Sequence, residues 1–258
     1  RISTHNDALH IVKSITQHRP QRAQSPAFRG CRGTGMPRDV DHSIAMCSLP
    51  YRILEDAHLP ELQSDSSNCV VEIGSERGEG STAYLRDWAA GRGMDFHTVD
   101  VTDTAQTHFA NDPAFGGVGR INFHTVDAGH AWCRDTLPGL GRRIAVLYLD
   151  NFDWIWAGSE DKPGDQEQIA DYARRGVVMN NENSQEEHRL QTLYCLPCMA
   201  AQSIIIIDDT FPDRRSPTGW SGKCGTAMPL ILAAGYTVAA REMVRTRRLV
   251  CCRGVKLK

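Results

Sequence analysis

The chain has 258 residues, 41% of them apolar and 23% charged, with a formal net charge of −2. This is the make-up of a soluble globular protein with one large α/β domain, or one domain and an appendage, and enough length to bury a substantial core. The near-neutral balance argues against nucleic acid as a partner, and no run reaches the roughly 18 to 20 apolar residues that span a bilayer. The N-terminus lacks the basic, then apolar, then small-residue pattern of a secretory leader, so a cytoplasmic protein is expected. Nine cysteines, an odd number at irregular spacing, argue for reduced and mostly buried thiols. Cys195 and Cys198 form a lone CxxC, without the second pair that a structural zinc site needs.

In chain order, residues 1–66 read as an N-terminal helical and partly flexible segment. Leu9, Ile11, Val12 and Ile15 suggest one short helix. Arg19 to Arg38 is polar and flexible in composition. Ile44, Leu49, Ile53, Leu54 and Leu59 are candidates for packing against a core. From residue 67 to 258 short apolar runs alternate with helical stretches, the rhythm of a parallel sheet with crossover helices. The strands expected are Cys69–Ile73, Phe96–Val101, Ile121–Val126, Ile144–Leu149 and Ser203–Ile207. The first is followed by a helix over Ser81–Ala90. A polar insertion runs from Asn151 to about Asn183, and Ser184-Gln185-Glu186-Glu187 reads as a capping box opening the next helix. Gly225–Ala234 is expected to be helical, with Gly235 as its stop. Tyr236–Val238 and Arg248–Cys251 then make a terminal antiparallel hairpin. The fold class expected is α/β, a doubly wound Rossmann-like sheet of seven strands that binds a ligand at the carboxyl ends of its strands.

Gly74, Gly78 and Gly80 lie directly between a strand and a helix, where glycines permit tight turning and close approach of a ligand to backbone amides. Their spacing is G-x-x-x-G-x-G rather than the dinucleotide pattern G-x-G-x-x-G, and Glu72 precedes the first glycine by two positions. Asp100 ends the second strand, where a carboxylate accepts both hydroxyls of a ribose. This pattern resembles motif I of the class I S-adenosylmethionine-dependent methyltransferases, whose outline also includes seven strands and a final hairpin. The resemblance implies a cofactor site made of Glu72, Gly74, Ser75, Gly78, Gly80, Ser81, Thr82 and Asp100. It also implies Asp127, after the third strand, as a contact of the adenine amino group.

Asp150 ends the fourth strand, and Asp208 and Asp209 end the fifth. Adjacent ends of a parallel sheet meet at one edge, and three converging carboxylates repel one another unless protons or a cation compensate. Hard oxygen ligands around an open position suit Mg²⁺ or a similar divalent ion. The arrangement is similar to the metal-dependent macrocin and mycinamicin type of sugar O-methyltransferase, which works in antibiotic biosynthesis. That resemblance implies Asp150, Asp208 and Asp209 as metal ligands. Two departures stand out: Asn151 follows Asp150 where the family has Gly, and Asp153 stands where it has a catalytic His.

Asp150, Asp153 and His188 are the candidates for catalysis, with Asp153 or His188 as the proton acceptor. Trp154 and Trp156 suit either stacking on a sugar or aromatic ring or anchoring the insertion. Glu160, Asp161, Asp165, Glu167 and Asp171 make the insertion acidic, as a solvated face or toward a cationic acceptor. The residues Trp220 to Gly225 are expected at the rim. The expected activity is methyl transfer to a hydroxyl or amine of a small natural product (a sugar, aminocyclitol or aminoglycoside-like acceptor), assisted by a divalent metal. A metal-independent N-methyltransferase, an NAD-dependent oxidoreductase and a non-catalytic cofactor-binding protein remain as alternatives. Acceptor identity and homo-oligomerisation stay open.

Overall fold

The computed structural model describes residue 54, residues 67–75, 78, 80–111, 121–242 and 247–255. Leu54 is the one described residue of the N-terminal segment. It is fully buried beside Val70, Leu85 and Trp88, and its carbonyl accepts a hydrogen bond from the Trp88 indole at 3.4 Å. The expected first helix, and Ile44, Leu49, Ile53 and Leu59, lie outside the described residues.

The central elements are β1 (Asn68–Ile73), α1 (Ser81–Ala90), β2 (Asp95–Asp100), α2 (Thr104–Asn111), β3 (Ile121–Thr125), α3 (Gly129–Asp135) and β4 (Arg143–Leu149). After them come α4 (Pro163–Arg174), α5 (Asn181–Cys195), β5 (Met199–Ile207), β6 (Thr210–Pro212), β7 (Trp220–Gly222), α6 (Met228–Ala233), β8 (Thr237–Glu242) and β9 (Arg248–Arg253). Seven of the strands form one sheet in the order β3-β2-β1-β4-β5-β9-β8. The first five are parallel, and β9 pairs antiparallel with both β5 and β8. This is the expected α/β doubly wound sheet with a C-terminal antiparallel hairpin.

The centre of the sheet is largely apolar because helices cover both of its faces. All of β1 is buried, and Ile204, Ile205, Ile206 and Ile207 of β5 have no exposed surface. Each such side chain contributes about 1.5–3 kcal/mol relative to exposure. Alternate residues feed two cores. Val71, Ile73, Leu147, Leu149, Ile205 and Ile207 face one; Val70, Val146, Tyr148, Ile204 and Ile206 face the other. Strand order reverses between β1 and β4, which opens the ligand crevice of such sheets at their carboxyl ends.

Several local expectations need correcting. The capping box does not open α5. Asn180 is its N-cap, its side chain accepting from the Asn183 amide at 2.7 Å. Ser184 is instead inside the helix and fully buried, donating to the Phe152 carbonyl at 3.1 Å. Tertiary partners took the groups that the capping pattern assigned to the helix end. The final helix is shorter than Gly225–Ala234, because residues 223–227 form turns before Met228. The loop after β5 contains a two-stranded hairpin, β6–β7. The polar insertion is not structureless either: residues 158–179 belong to a second compact unit, containing α4 with Pro163 in its first turn, Asp165 near its start and Arg174 in its last turn. Proline early, an acid first and a base last are ordinary helix-end chemistry.

Candidate functional site

The site grows from the ends of β1, β2, β4 and β5, which the backbone holds level. The Asp150 amide donates to Ile73, and that of Asp208 to Leu149. Gly74 leaves β1 with a φ of 101°, its amide on the Val99 carbonyl at 2.8 Å. The next amide, of Ser75, donates to Asp100 Oδ2 at 2.9 Å. Asp100 Oδ1 accepts from the Thr102 amide at 3.0 Å and its hydroxyl at 3.2 Å. One carboxylate thus ties the glycine turn to the end of β2. Beside it lies a small, partly open cleft lined by Ser75, Asp100, Ala105, Phe123 and His124 among others. The Val126 amide donates to the Asp100 carbonyl, which brings exposed Asp127 to the same edge.

The three glycines divide by what surrounds them. A Cβ on Gly74 would lie 2.5–2.7 Å from backbone atoms of Asp150 and Asn151, and one on Gly78 would meet the Phe109 ring at 2.6 Å. A Cβ on Gly80, at φ 62° before α1, would meet nothing within 4 Å. Close approach at Gly74 and Gly78 is therefore to the protein itself, and only Gly80 presents open backbone. Ser81 is half-buried, whereas Thr82 has no exposed surface.

Glu72 is fully buried beneath this turn. Its Oε2 accepts from the Thr98 hydroxyl at 3.0 Å, while Oε1 makes no hydrogen bond. Burial pushes its carboxyl up to about 7, against the lowering effect of the Thr82, Ser81 and Thr98 hydroxyls. With no surface to offer a ligand, Glu72 supports the turn from below.

The carboxylates of Asp150, Asp208 and Asp209 do converge, and the group between them is a lysine. Lys223 Nζ donates to Asp150 Oδ1 at 2.8 Å and stands 3.6 Å from Asp209 Oδ2, with its side chain 5% exposed. Asp208 is paired with Arg248 at 3.3 Å, and the Tyr148 hydroxyl lies 3.3 Å from both Asp150 Oδ2 and Asp208 Oδ2. Burial alone would lower the Lys223 ammonium, but Asp150, Asp209, Asp208 and Asp153 together hold it well above the usual lysine range. Burial and Asp150 raise Asp208 to about 7, opposed by Arg248 and Lys223; burial also raises Asp209, opposed by Lys223. Among the described residues no three His, Cys, Asp or Glu side chains are arranged to hold a metal ion. The donor set expected for a divalent ion therefore does not fit one: its carboxylates already face an ammonium and a guanidinium.

Asp153 is half-buried and close enough to Lys223 and Asp209 to act on both. His188 is not presented to an acceptor. It has no exposed surface, and one ring nitrogen, Nδ1, lies 2.7 Å from the Ser184 carbonyl. Burial and nearby Lys223 push its pKa down to about 4, so the ring is neutral and Nδ1–H donates. Trp156 stacks on Phe211 at 5.7 Å and lies 3.9 Å beneath the Arg247 guanidinium, an arrangement that anchors residues 151–157 to β6. Trp154 is half-buried. The acidic residues from Glu160 to Asp171 belong to the second unit. Cys195 packs its sulfur against Cys133 at 3.5 Å, and the other described cysteines are free thiols as well.

Two groups escaped the sequence reading. Lys223 gave no signal beyond its place in the expected rim loop. The second is a network behind Gly74. Glu187 accepts from the His130 amide at 2.9 Å and lies 2.5 Å from its Nδ1. Gln191 joins Glu187 to Asn151 with donors at 2.8 and 2.9 Å. Burial would raise the Glu187 carboxyl, but hydrogen bonds and charge from His130 hold it below the usual range.

No protein-family model and no curated protein matches the chain. Among solved structures it is similar to an O-methyltransferase family protein from Burkholderia thailandensis, with 15% identity over 82% of this chain and 58% of that one and a TM-score of 0.40. It is similar to CalS11, a TDP-rhamnose 3′-O-methyltransferase of calicheamicin biosynthesis, with 14% identity over 79% of this chain and 75% of that one and a TM-score of 0.41. A third similarity is to LepI in complex with S-adenosylmethionine, with 12% identity over 84% of this chain and 55% of that one and a TM-score of 0.41. The chain spans about half the length of LepI and of TrmN from Thermus thermophilus. Among the described residues no helix is long and apolar enough to cross a membrane.

Proposed function

We propose that the chain is an S-adenosylmethionine-dependent methyltransferase acting on a hydroxyl or amine of a small natural-product acceptor, sugar-like or aminocyclitol-like. The observation that carries this reading is the closure of the glycine turn by Asp100, whose carboxylate holds the Ser75 amide beside an open cleft. Asp100 is the residue for the ribose hydroxyls, Asp127 for the adenine amino group, and the open backbone at Gly80 for close approach. When bound, S-adenosylmethionine supplies a sulfonium methyl for in-line displacement.

The chain's own task is to align the acceptor and exclude water. Asp150 and Asp209, both partly exposed, together with Asp153, offer oxygen acceptors for hydroxyl or ammonium groups at the ends of β4 and β5. Asp153 takes the proton of a hydroxyl acceptor or orients an amine. No step is assigned to a metal.

Calorimetry tests the donor: S-adenosylhomocysteine binds and NADH does not, and the reverse result overturns the reading in favour of an oxidoreductase. Methyl-labelled donor with a panel of neutral sugars and aminocyclitols tests the transfer. Tight donor binding with no labelled product across the panel would favour a non-catalytic cofactor-binding protein.

A further inference from the structure

The acidic cluster at the ends of β4 and β5 is organised around a side chain from the β6–β7 hairpin. The hairpin's register is what delivers it. The Lys223 amide donates to the Asp209 carbonyl at 3.0 Å. The preceding Gly222 passes so close that a Cβ there would lie 1.8 Å from the same carbonyl oxygen. Asp209 itself adopts a left-handed φ of 45°, an uncommon conformation for a non-glycine residue that persists where surroundings over-determine it. Two tight backbone features, one just before β6 and one at the end of β7, thus aim one long side chain inward between carboxylates.

We infer that Lys223 is the resident cation of this cluster, its ammonium standing where the metal-dependent enzymes that the sequence resembles hold a divalent ion. Three lines of geometry support this. A divalent ion needs its oxygen ligands at about 2.0–2.6 Å, yet the Asp150 oxygen that faces the cluster already bonds Nζ at 2.8 Å. An ion seated on that oxygen would share its position with a like charge. Asp208, the second expected ligand, is engaged by Arg248 and by the Tyr148 hydroxyl. Finally, Lys223 is almost wholly buried, so it cannot leave for solvent without the hairpin moving. Burying an ammonium is costly unless it is paired, and here the pairing is supplied by the same carboxylates a metal would use. The cluster is charge-compensated by the chain itself, and Lys223 is a positioning residue that holds Asp150 through a directed hydrogen bond.

The inference stands on the cluster alone and is read by metal binding without donor or acceptor, so its failure and that of the methyl-donor reading are distinguishable. The probe is Mn²⁺ added to the full chain, with bound ion followed by electron paramagnetic resonance and Mg²⁺ competition. The wild type is expected to take up no stoichiometric Mn²⁺ and to melt at the same temperature with EDTA or excess Mg²⁺. Lys223→Ala is expected to bind one Mn²⁺ per chain at least tenfold more tightly than the wild type, and Asp209→Asn in that background to abolish the binding. If Lys223→Ala does not fold, Lys223→Met keeps the bulk of the stem without the charge and carries the same expectation. Lys223→Arg retains the cation and is expected to bind no Mn²⁺. Stoichiometric Mn²⁺ on the wild type that Asp209→Asn removes would overturn the inference. So would folded Ala or Met variants that gain no ion.

Discussion

Replacing Gly74 and Gly80 of the turn one at a time separates packing from ligand contact. At Gly74 an alanine must adopt a φ of 101° and set its Cβ 2.5–2.7 Å from backbone atoms of Asp150 and Asn151. Neither is the movable end of a side chain. The backbone strain costs about 1–3 kcal/mol and the overpacking roughly another 1–3 kcal/mol. Together that is a large share of the roughly 5–15 kcal/mol by which a domain is stable. At Gly80 the φ of 62° is also strained for alanine, but its Cβ meets nothing within 4 Å, so only the first cost, about 1–3 kcal/mol, applies. The Cβ instead enters space that the proposal gives to the cofactor. Urea unfolding is expected to place Gly74→Ala well below Gly80→Ala in stability. Calorimetry on folded Gly80→Ala is expected to show S-adenosylhomocysteine affinity at least tenfold below wild type. Equal stability losses, or Gly80→Ala binding like wild type, would refute the division of the motif into packing and ligand glycines.

Asp100→Asn removes the charge that ties Ser75 and, in the proposed complex, the ribose. At about 1.5–3 kcal/mol for a hydrogen bond to a charged group, S-adenosylhomocysteine affinity is expected to fall roughly 10- to 150-fold by calorimetry. Glu72 has a folded pKa of about 7, raised above its ordinary value of 4.5. Its contribution to stability is full below about 4.5 and is lost as pH rises through about 7. Denaturant midpoints are therefore expected to fall less between pH 6 and 8 in Glu72→Gln than in wild type; parallel curves would refute this. Gly222→Ala places a Cβ 1.8 Å from the Asp209 oxygen and is expected to destabilise by several kcal/mol, read as a lowered urea midpoint; an unchanged midpoint would refute the close approach.

The sheet was legible because its signals are local and redundant. Val70–Ile73, broken only by Glu72, and Ile204–Ile207 are short apolar runs, and each is followed by glycine or acid where a parallel sheet opens to ligand. Helix starts were less legible because their signatures compete with tertiary bonding. Ser184 and Glu187 have the spacing of a capping box, but the first is buried against Phe152 and the second is spent on His130. Asn180, the residue that does cap α5, sits in a run of similar polar residues where composition alone does not choose.

The acidic cluster marks the boundary of what pattern can reveal. That Asp150, Asp208 and Asp209 meet follows from strand ends alone, since parallel neighbours finish at one edge. What compensates them does not, because an external ion and an internal ammonium satisfy the same electrostatic demand. The choice between them is made by a hairpin of irregular turns, in which no period of two or 3.6 says where Lys223 points. It depends on Gly222 passing against the Asp209 carbonyl, a contact between residues thirteen positions apart. An acidic constellation read from sequence therefore specifies that its charge must be compensated, by protons or by a cation. Only the path of the chain specifies whose cation it is, and here that path leads to Lys223.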